Sequence, residues 1–155
     1  MQWLRDRNPG DYLMKKAILD TDILSEVFKA KYRKVQRMAN EYRDVFGHLT
    51  ISAATVAEII KGFQAIRDER RLRTFLVFLK ENEMISLRAD EAIMAGRISG
   101  DLQRAGKPIG HLDPFIAATA VVHKLPLVTG NTRHFQRVID LGYPLELQNW
   151  RLPNG

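Results

Sequence analysis

Ala17-Ile18-Leu19-Asp20-Thr21-Asp22-Ile23-Leu24-Ser25-Glu26 is the stretch on which the fold turns. Its first three residues are a short apolar strand candidate. Thr21 or Asp22 can cap a helix beginning near Ile23. A strand that hands over directly to a helix is the opening of an α/β pattern.

The rest of the chain repeats that alternation. The first helix continues, with a break, through the basic stretch 29–43. Leu49-Thr50-Ile51 is a second strand candidate. Val56, Ile59, Ile60 and Phe63 then recur at i, i+3, i+4 and i+7, the stripe of an amphipathic helix, and Leu72, Phe75, Leu76 and Leu79 repeat it. Met84-Ile85-Ser86-Leu87 is strand-like. Residues 89–105 read as a helix ended by Gly106 and Pro108. Residues 114–122 are apolar nearly all round, which predicts a buried helix. A strand over 125–129, a helix over 132–141 ending at Gly142 and a last strand over 145–147 complete the pattern. Strands alternating with helices predict a parallel sheet covered on both faces. One domain over 14–155 is the economical reading, since there is no internal repeat, low-complexity segment or linker. Residues 1–13 differ: Asn8-Pro9-Gly10-Asp11 is a turn cluster. They read as an N-terminal extension, either a loose arm or a non-native start ahead of a functional Met14.

Composition narrows the chemistry. The 155 residues are 45% hydrophobic and 27% charged, which suits a globular domain with a real core. With no cysteine, disulfides and thiolate metal sites are excluded, and a reducing compartment is permitted. No apolar run approaches a membrane span, and residues 1–13 lack the apolar stretch of a signal peptide. A net charge of +6 and a pI near 9.8 suit a polyanionic partner, nucleic acid being the commonest. A solvated basic surface is the plainer alternative.

In open parallel sheets ligands gather at the carboxyl ends of the strands. Asp20 ends the first strand candidate and Asn131 follows Leu127-Val128-Thr129-Gly130, so central parallel strands would set both at one edge. Each candidate has a plainer reading. Asp22 reads as a helix cap or first-turn acid, and Asp20 could cap the same helix. However, an unpaired carboxylate directly after a buried strand is costly. Glu58 lies roughly opposite the Val56 stripe and reads by period as a solvated glutamate, although Ala53, Ala54 and Ala57 leave a small-residue surface open to close approach. Asp113 before Pro114 reads as an N-cap with proline at the first helical position. The four histidines make no metal-ligand spacing, and His134 reads as a packed or solvent residue. Phosphate-binding glycine loops and a nucleophile elbow are absent. Two basic clusters, Lys29 to Arg37 and Lys61 to Arg73, are either solvated faces or phosphate-tracking surfaces. Lys31, Arg33, Arg70 and Arg71 are their nucleic-acid candidates.

Four segments resemble the motifs of one known family. Ile18-Leu19-Asp20-Thr21-Asp22-Ile23-Leu24-Ser25-Glu26 resembles the opening of a PIN domain, and more narrowly of VapC toxins and their FitB-like relatives. Thr55-Val56-Ala57-Glu58-Ile59-Ile60-Lys61-Gly62 is similar to the second motif. Ile109-Gly110-His111-Leu112-Asp113-Pro114-Phe115-Ile116-Ala117-Ala118-Thr119-Ala120 is similar to the third and is the most specific. Leu127-Val128-Thr129-Gly130-Asn131-Thr132-Arg133-His134-Phe135 resembles the fourth. The motifs occur in order from about Lys15 to Trp150.

The resemblance implies a three-layer α/β/α fold with a central, mainly parallel sheet. It implies Asp20, Glu58 and Asp113 as metal-binding catalytic acids, with Asn131 completing the site. It further implies a cytoplasmic Mg²⁺- or Mn²⁺-dependent endoribonuclease that hydrolyses RNA phosphodiesters, a homodimer in the family's manner, silenced by a small antitoxin and meeting operator DNA only through it. Hard cations prefer oxygen ligands, which fits a chain without cysteine or a histidine pair. A function of a different class is a regulatory partner that joins an antitoxin on operator DNA with little or no nuclease activity. One departure stands out: the fourth motif often carries an aspartate, here replaced by Asn131. An amide oxygen adds no charge, so one protein-held metal is expected, with any second cation arriving with the RNA.

Overall fold

The computed structural model describes residues 14–152; the expected N-terminal extension, 1–13, lies outside them. The elements run β1 (Ile18–Leu19), α1 (Thr21–Lys29), α2 (Arg33–Phe46), β2 (Thr50–Ser52), α3 (Ala53–Ala65), α4 (Glu69–Lys80), β3 (Glu83–Ile85), α5 (Ala89–Arg104), α6 (Asp113–His123), β4 (Leu127–Val128), α7 (Thr132–Asp140) and β5 (Leu147–Gln148). The strands form one sheet in the order β3-β2-β1-β4-β5. Every described pairing is parallel. The expected three-layer α/β/α architecture is therefore present.

Alternation along very short strands builds the two cores. Successive strand residues point to opposite faces. Leu19 and Val128 enter a core with α1 to α4, around Ile23, Val35, Tyr42, Phe63 and Phe75. Ile18 and Leu127 enter the other, with Ile98, Leu102, Ile116 and Phe135 of α5 to α7. The predicted all-apolar helix is α6, whose residues 116–121 are all buried.

Several boundaries move for identifiable reasons. The expected break after α1 falls at Ala30, which takes the left-handed conformation with φ 52°. Gln36 then donates to the exposed carbonyls of Glu26 and Val27 at the end of α1. The helix cap is Asp20, not Thr21 or Asp22: its carboxylate accepts from Thr21 N–H at 2.8 Å. Ser52 both extends β2 against Ile85 and caps α3, its hydroxyl accepting from Thr55 N–H at 3.2 Å. Asp113 is not an N-cap. It is the first residue of α6, with Leu112 in the cap position, so its carboxylate is not committed to the helix amides.

Candidate active site

β1 and β4 are adjacent and parallel, with Leu19 opposite Val128. Their carboxyl ends therefore deliver Asp20 and the segment Thr129, Gly130, Asn131 to one edge, as the sequence suggests. A pocket opens there, lined among others by Asp20, Asp22, Glu58, Asp113, Asn131, His134 and Arg151.

Asp20 is the innermost of these groups, only 5% exposed. Its Oδ2 accepts from the Thr129 hydroxyl at 2.7 Å, and Thr129 Oγ1 in turn accepts from Asn131 N–H at 2.9 Å. The hydroxyl thus ties the acid on β1 to the turn after β4. These bonds favour the carboxylate, yet burial and the nearby Asp22, with a smaller push from Asp113, raise the Asp20 pKa from 3.8 to about 7.

Glu58 reaches the pocket from α3, against its periodic reading as a solvated residue. It is half-buried and accepts from the Thr21 hydroxyl at 3.1 Å. Burial raises its pKa, Thr21 lowers it, and the charge of Asp113 raises it again. Asp113 comes from the start of α6. Its pKa is also raised, by burial first, against the opposing pull of the Gly110 N–H and His134, with Asp22 adding repulsion. A side chain at Gly110 would crowd this acid: a Cβ there would lie 3.0 Å from Asp113 Oδ2. Asn131 and His134 close the rim. Asn131 Nδ2 lies 2.9 Å from His134 Nδ1, and that ring nitrogen lies 3.9 Å from Asp113 Oδ2. His134, read from sequence as packed or solvent, therefore faces the site.

Asp22 and Arg151 form the opposite flank. Asp22 is a first-turn acid of α1, as read, but its Oδ2 also accepts from Gly130 N–H at 3.0 Å. The Arg151 guanidinium pairs with Glu26 and lies 3.4 Å from Asp22. Nothing local in the sequence marks Arg151. It arrives because the neighbouring Trp150, 2% exposed, packs against Tyr42.

The donor set suits a hard divalent cation. Asp20, Glu58 and Asp113 each have a raised pKa, and in each a neighbouring carboxylate adds to the effect of burial. Acids that repel one another away from water are relieved by a cation. Among the described residues no three acidic or histidine side chains are arranged to hold a metal ion unaided.

The basic candidates lie elsewhere. Lys31, Arg33, Arg70 and Arg71 are all exposed, and none lines the pocket. Lys31 and Arg33 flank the far end of α1, whose 9 residues put them about 13 Å from Asp20 along the helix. Arg71 lies 3.5 Å from Asp68.

The PIN domain family model matches residues 17–141. A tRNA(fMet)-specific endonuclease VapC from Shigella flexneri is 34% identical over 126 residues, covering 81% of this chain and 93% of that protein. Ribonuclease VapC2 from Haemophilus influenzae is 33% identical over 138 residues, covering 88% of this chain and 99% of the relative. Among solved structures, the DNA-bound VapBC complex from Salmonella typhimurium matches with a TM-score of 0.73 at 29% identity, covering 88% of this chain and 99% of that one. FitAcB from Neisseria gonorrhoeae shares the fold, with a TM-score of 0.72 at 21% identity over 88% of this chain and 99% of its own.

Proposed function

The chain belongs to the PIN-domain family, in its VapC branch, and from that membership and the geometry of the acidic pocket we propose that it is the endoribonuclease toxin of a toxin–antitoxin pair. The observation that carries the site reading is the convergence of Asp20, Glu58 and Asp113, from three separate segments, in one pocket where all three carboxyls are pushed above their ordinary pKa.

In this reading Asp20 and Asp113 would hold one Mg²⁺ or Mn²⁺, with Glu58 and Asn131 beside them in the same pocket. Bound there, the ion supplies Lewis acidity toward water and the scissile phosphate. The chain's own groups do the positioning. Thr129 and the Thr21 N–H fix the Asp20 carboxylate, and the Thr21 hydroxyl fixes Glu58. In the same reading Glu58 takes a proton from the attacking water, and its raised pKa suits it to that exchange. With the 3′-oxygen as the leaving group, protonated as it departs, hydrolysis leaves a 5′-phosphate and a 3′-hydroxyl.

The solved relatives are toxin–antitoxin complexes, some bound to DNA, which supports a small antitoxin as partner. Contact with operator DNA then goes through that partner. A homodimer and a cytoplasmic setting belong to the same proposal. Among the described residues no helix is long and apolar enough to cross a membrane.

Initiator tRNA transcript is the first substrate to try, with an elongator tRNA as control and sequencing of RNA ends after brief induction to find other cuts. Asp20→Asn and Asp113→Asn should each reduce cleavage by about 10³-fold or more, while circular dichroism stays native. Undiminished cleavage by either folded variant would sink the site assignment.

A further inference from the structure

Arg151 is the unexplained member of the pocket. Among the described residues every other charged side chain lining it is an acid or His134, so Arg151 is the one permanently cationic group among them. It is also held firmly. Glu26 is largely buried, and one of its oxygens has no hydrogen-bond partner. The other carries the ion pair with Arg151 Nη2, and Asp22 Oδ2 lies 3.4 Å from that same nitrogen. Nη1 occupies the space that a side chain at Gly130 would need: a Cβ there would stand 1.9 Å from it. Glycine just beyond β4 thus lets the guanidinium approach the turn that carries Asn131 closely.

An arginine fixed at the rim of an acidic pocket has two physical uses. It can neutralise the acids, or it can present its remaining N–H fork to an anion that enters. Arg151 sets its charge against Glu26 and Asp22, and with it in place Asp20, Glu58 and Asp113 still have raised pKa values. Neutralising the acids is therefore not its whole use. Its side chain is 39% exposed at the mouth, and a guanidinium matches phosphate oxygens in a two-pronged geometry that a lysine lacks.

We propose that Arg151 is a substrate-binding residue that takes a backbone phosphate beside the bond being cut, with Glu26 and Asp22 holding its guanidinium in register. This rests on the ribonuclease reading above. It also accounts for how RNA approaches a site whose edge repels it: the incoming strand meets one fixed positive charge before it meets the acids. A contact to a neighbouring phosphate is made equally in the ground and transition states, so its loss raises KM more than it lowers kcat.

The test measures cleavage of an initiator tRNA transcript, and binding of the same transcript to the Asp113→Asn protein across a salt series, each with and without Arg151→Ala. Arg151→Ala should raise KM by about 10-fold or more with kcat changed less than about 3-fold. The slope of log affinity against log salt should shrink by about 0.7 to 0.9. Arg151→Lys keeps the charge and guards against a folding defect; it should recover the slope and only part of the KM. Glu26→Gln, which loosens the tether, should give a smaller KM rise. Cleavage that is unchanged or faster in Arg151→Ala, or an unchanged salt slope, overturns the proposal; a faster enzyme would mark Arg151 as a plug. A wild-type protein that neither binds nor cuts RNA would instead overturn the ribonuclease reading, and this inference with it.

Discussion

Two carboxylates in this molecule are nearly closed to solvent, one deep at a strand end and one just beneath the surface, and live under opposite electrostatics. Asp20 is 5% exposed and Glu91 is 3% exposed. Glu91, at the start of α5, accepts from Arg88 N–H at 2.9 Å and lies 2.7 Å from His123 Nε2 at the end of α6. Burial pushes its pKa up, but helix-start N–H donors and His123 outweigh that and leave it below the ordinary value. Asp20 also has two hydrogen bonds, yet its nearest charged neighbours are acids, and it ends near 7. Low exposure alone does not mark a functional acid. Glu91 is satisfied within the protein and joins two helices, whereas Asp20 has acids rather than a cation beside it.

The largest effect that could break this contrast is on activity. Asp20→Asn should abolish cleavage, while Glu91→Gln should leave kcat per folded molecule within about 2-fold, because Glu91 touches nothing in the pocket. The stability effects should run the other way. Glu91→Gln weakens a buried partnership and should cost about 1 to 3 kcal/mol. Asp20→Asn removes a buried, repelled charge and should stabilise the metal-free protein at pH 8. A Glu91→Gln protein that folds normally but fails to cut RNA would collapse the distinction.

The pH dependence sharpens it. The Asp20 pKa rises on folding, from 3.8 to about 7. The folded state then binds the proton more tightly, so this group lowers stability as pH climbs from about 4 to about 7, and the penalty stays fully present above that. At about 1.4 kcal/mol per tenfold change in proton affinity, the effect amounts to a few kcal/mol. Asp20→Asn should raise the pH 8 melting temperature in EDTA by about 5 °C or more and change little at pH 4. Mg²⁺ added to wild type should recover part of that gap. The Glu91 pKa falls on folding, so its contribution is present above pH 4.5 and is lost on acidification through its lower folded value. Melting curves of both variants from pH 3 to 8 would separate the two limbs. Parallel curves for wild type and Asp20→Asn would remove the case for an unsatisfied charge.

The same contrast explains what could be read from the sequence. The scaffold was legible because its signals are local. The α3 stripe, the apolar α6 and the alternation of short strands with helices each lie within about ten residues, and all are present. Asp20 was legible because a strand end is a local feature. Glu58 was not. The buried face of α3 includes Thr55 as well as Ile59 and Phe63, so it is wider than its apolar stripe. Glu58, three residues after Thr55, turns toward Thr21 rather than to water. Asp113 carried a misleading local signal, since Asp-Pro fits a cap but the helix takes the aspartate as its first residue. His134 and Arg151 depend on packing between segments far apart in the chain, and no period or spacing encodes that. The four motifs supplied what periodicity could not for Glu58 and Asp113, and they gave no hint of Arg151.

The smallest expected effect concerns Asn131, where the pocket has an amide in place of a further acid. Its Nδ2 lies 2.9 Å from His134 Nδ1, so the amide already has a partner, and being uncharged it adds nothing to the repulsion among the acids. With three raised carboxyls to relieve, one cation is enough, and a second has no comparable reason to settle before RNA brings its phosphates. Calorimetric titration of Mn²⁺ into the RNA-free protein should therefore show one tight site. Asn131→Asp should add a second and weaker one, and by adding like charge should lower the metal-free melting temperature at pH 8 by about 1 to 3 °C, recovered by Mn²⁺. Two tight sites in the wild type would mean that the uncharged amide oxygen of Asn131 helps to hold a second ion without a further acid.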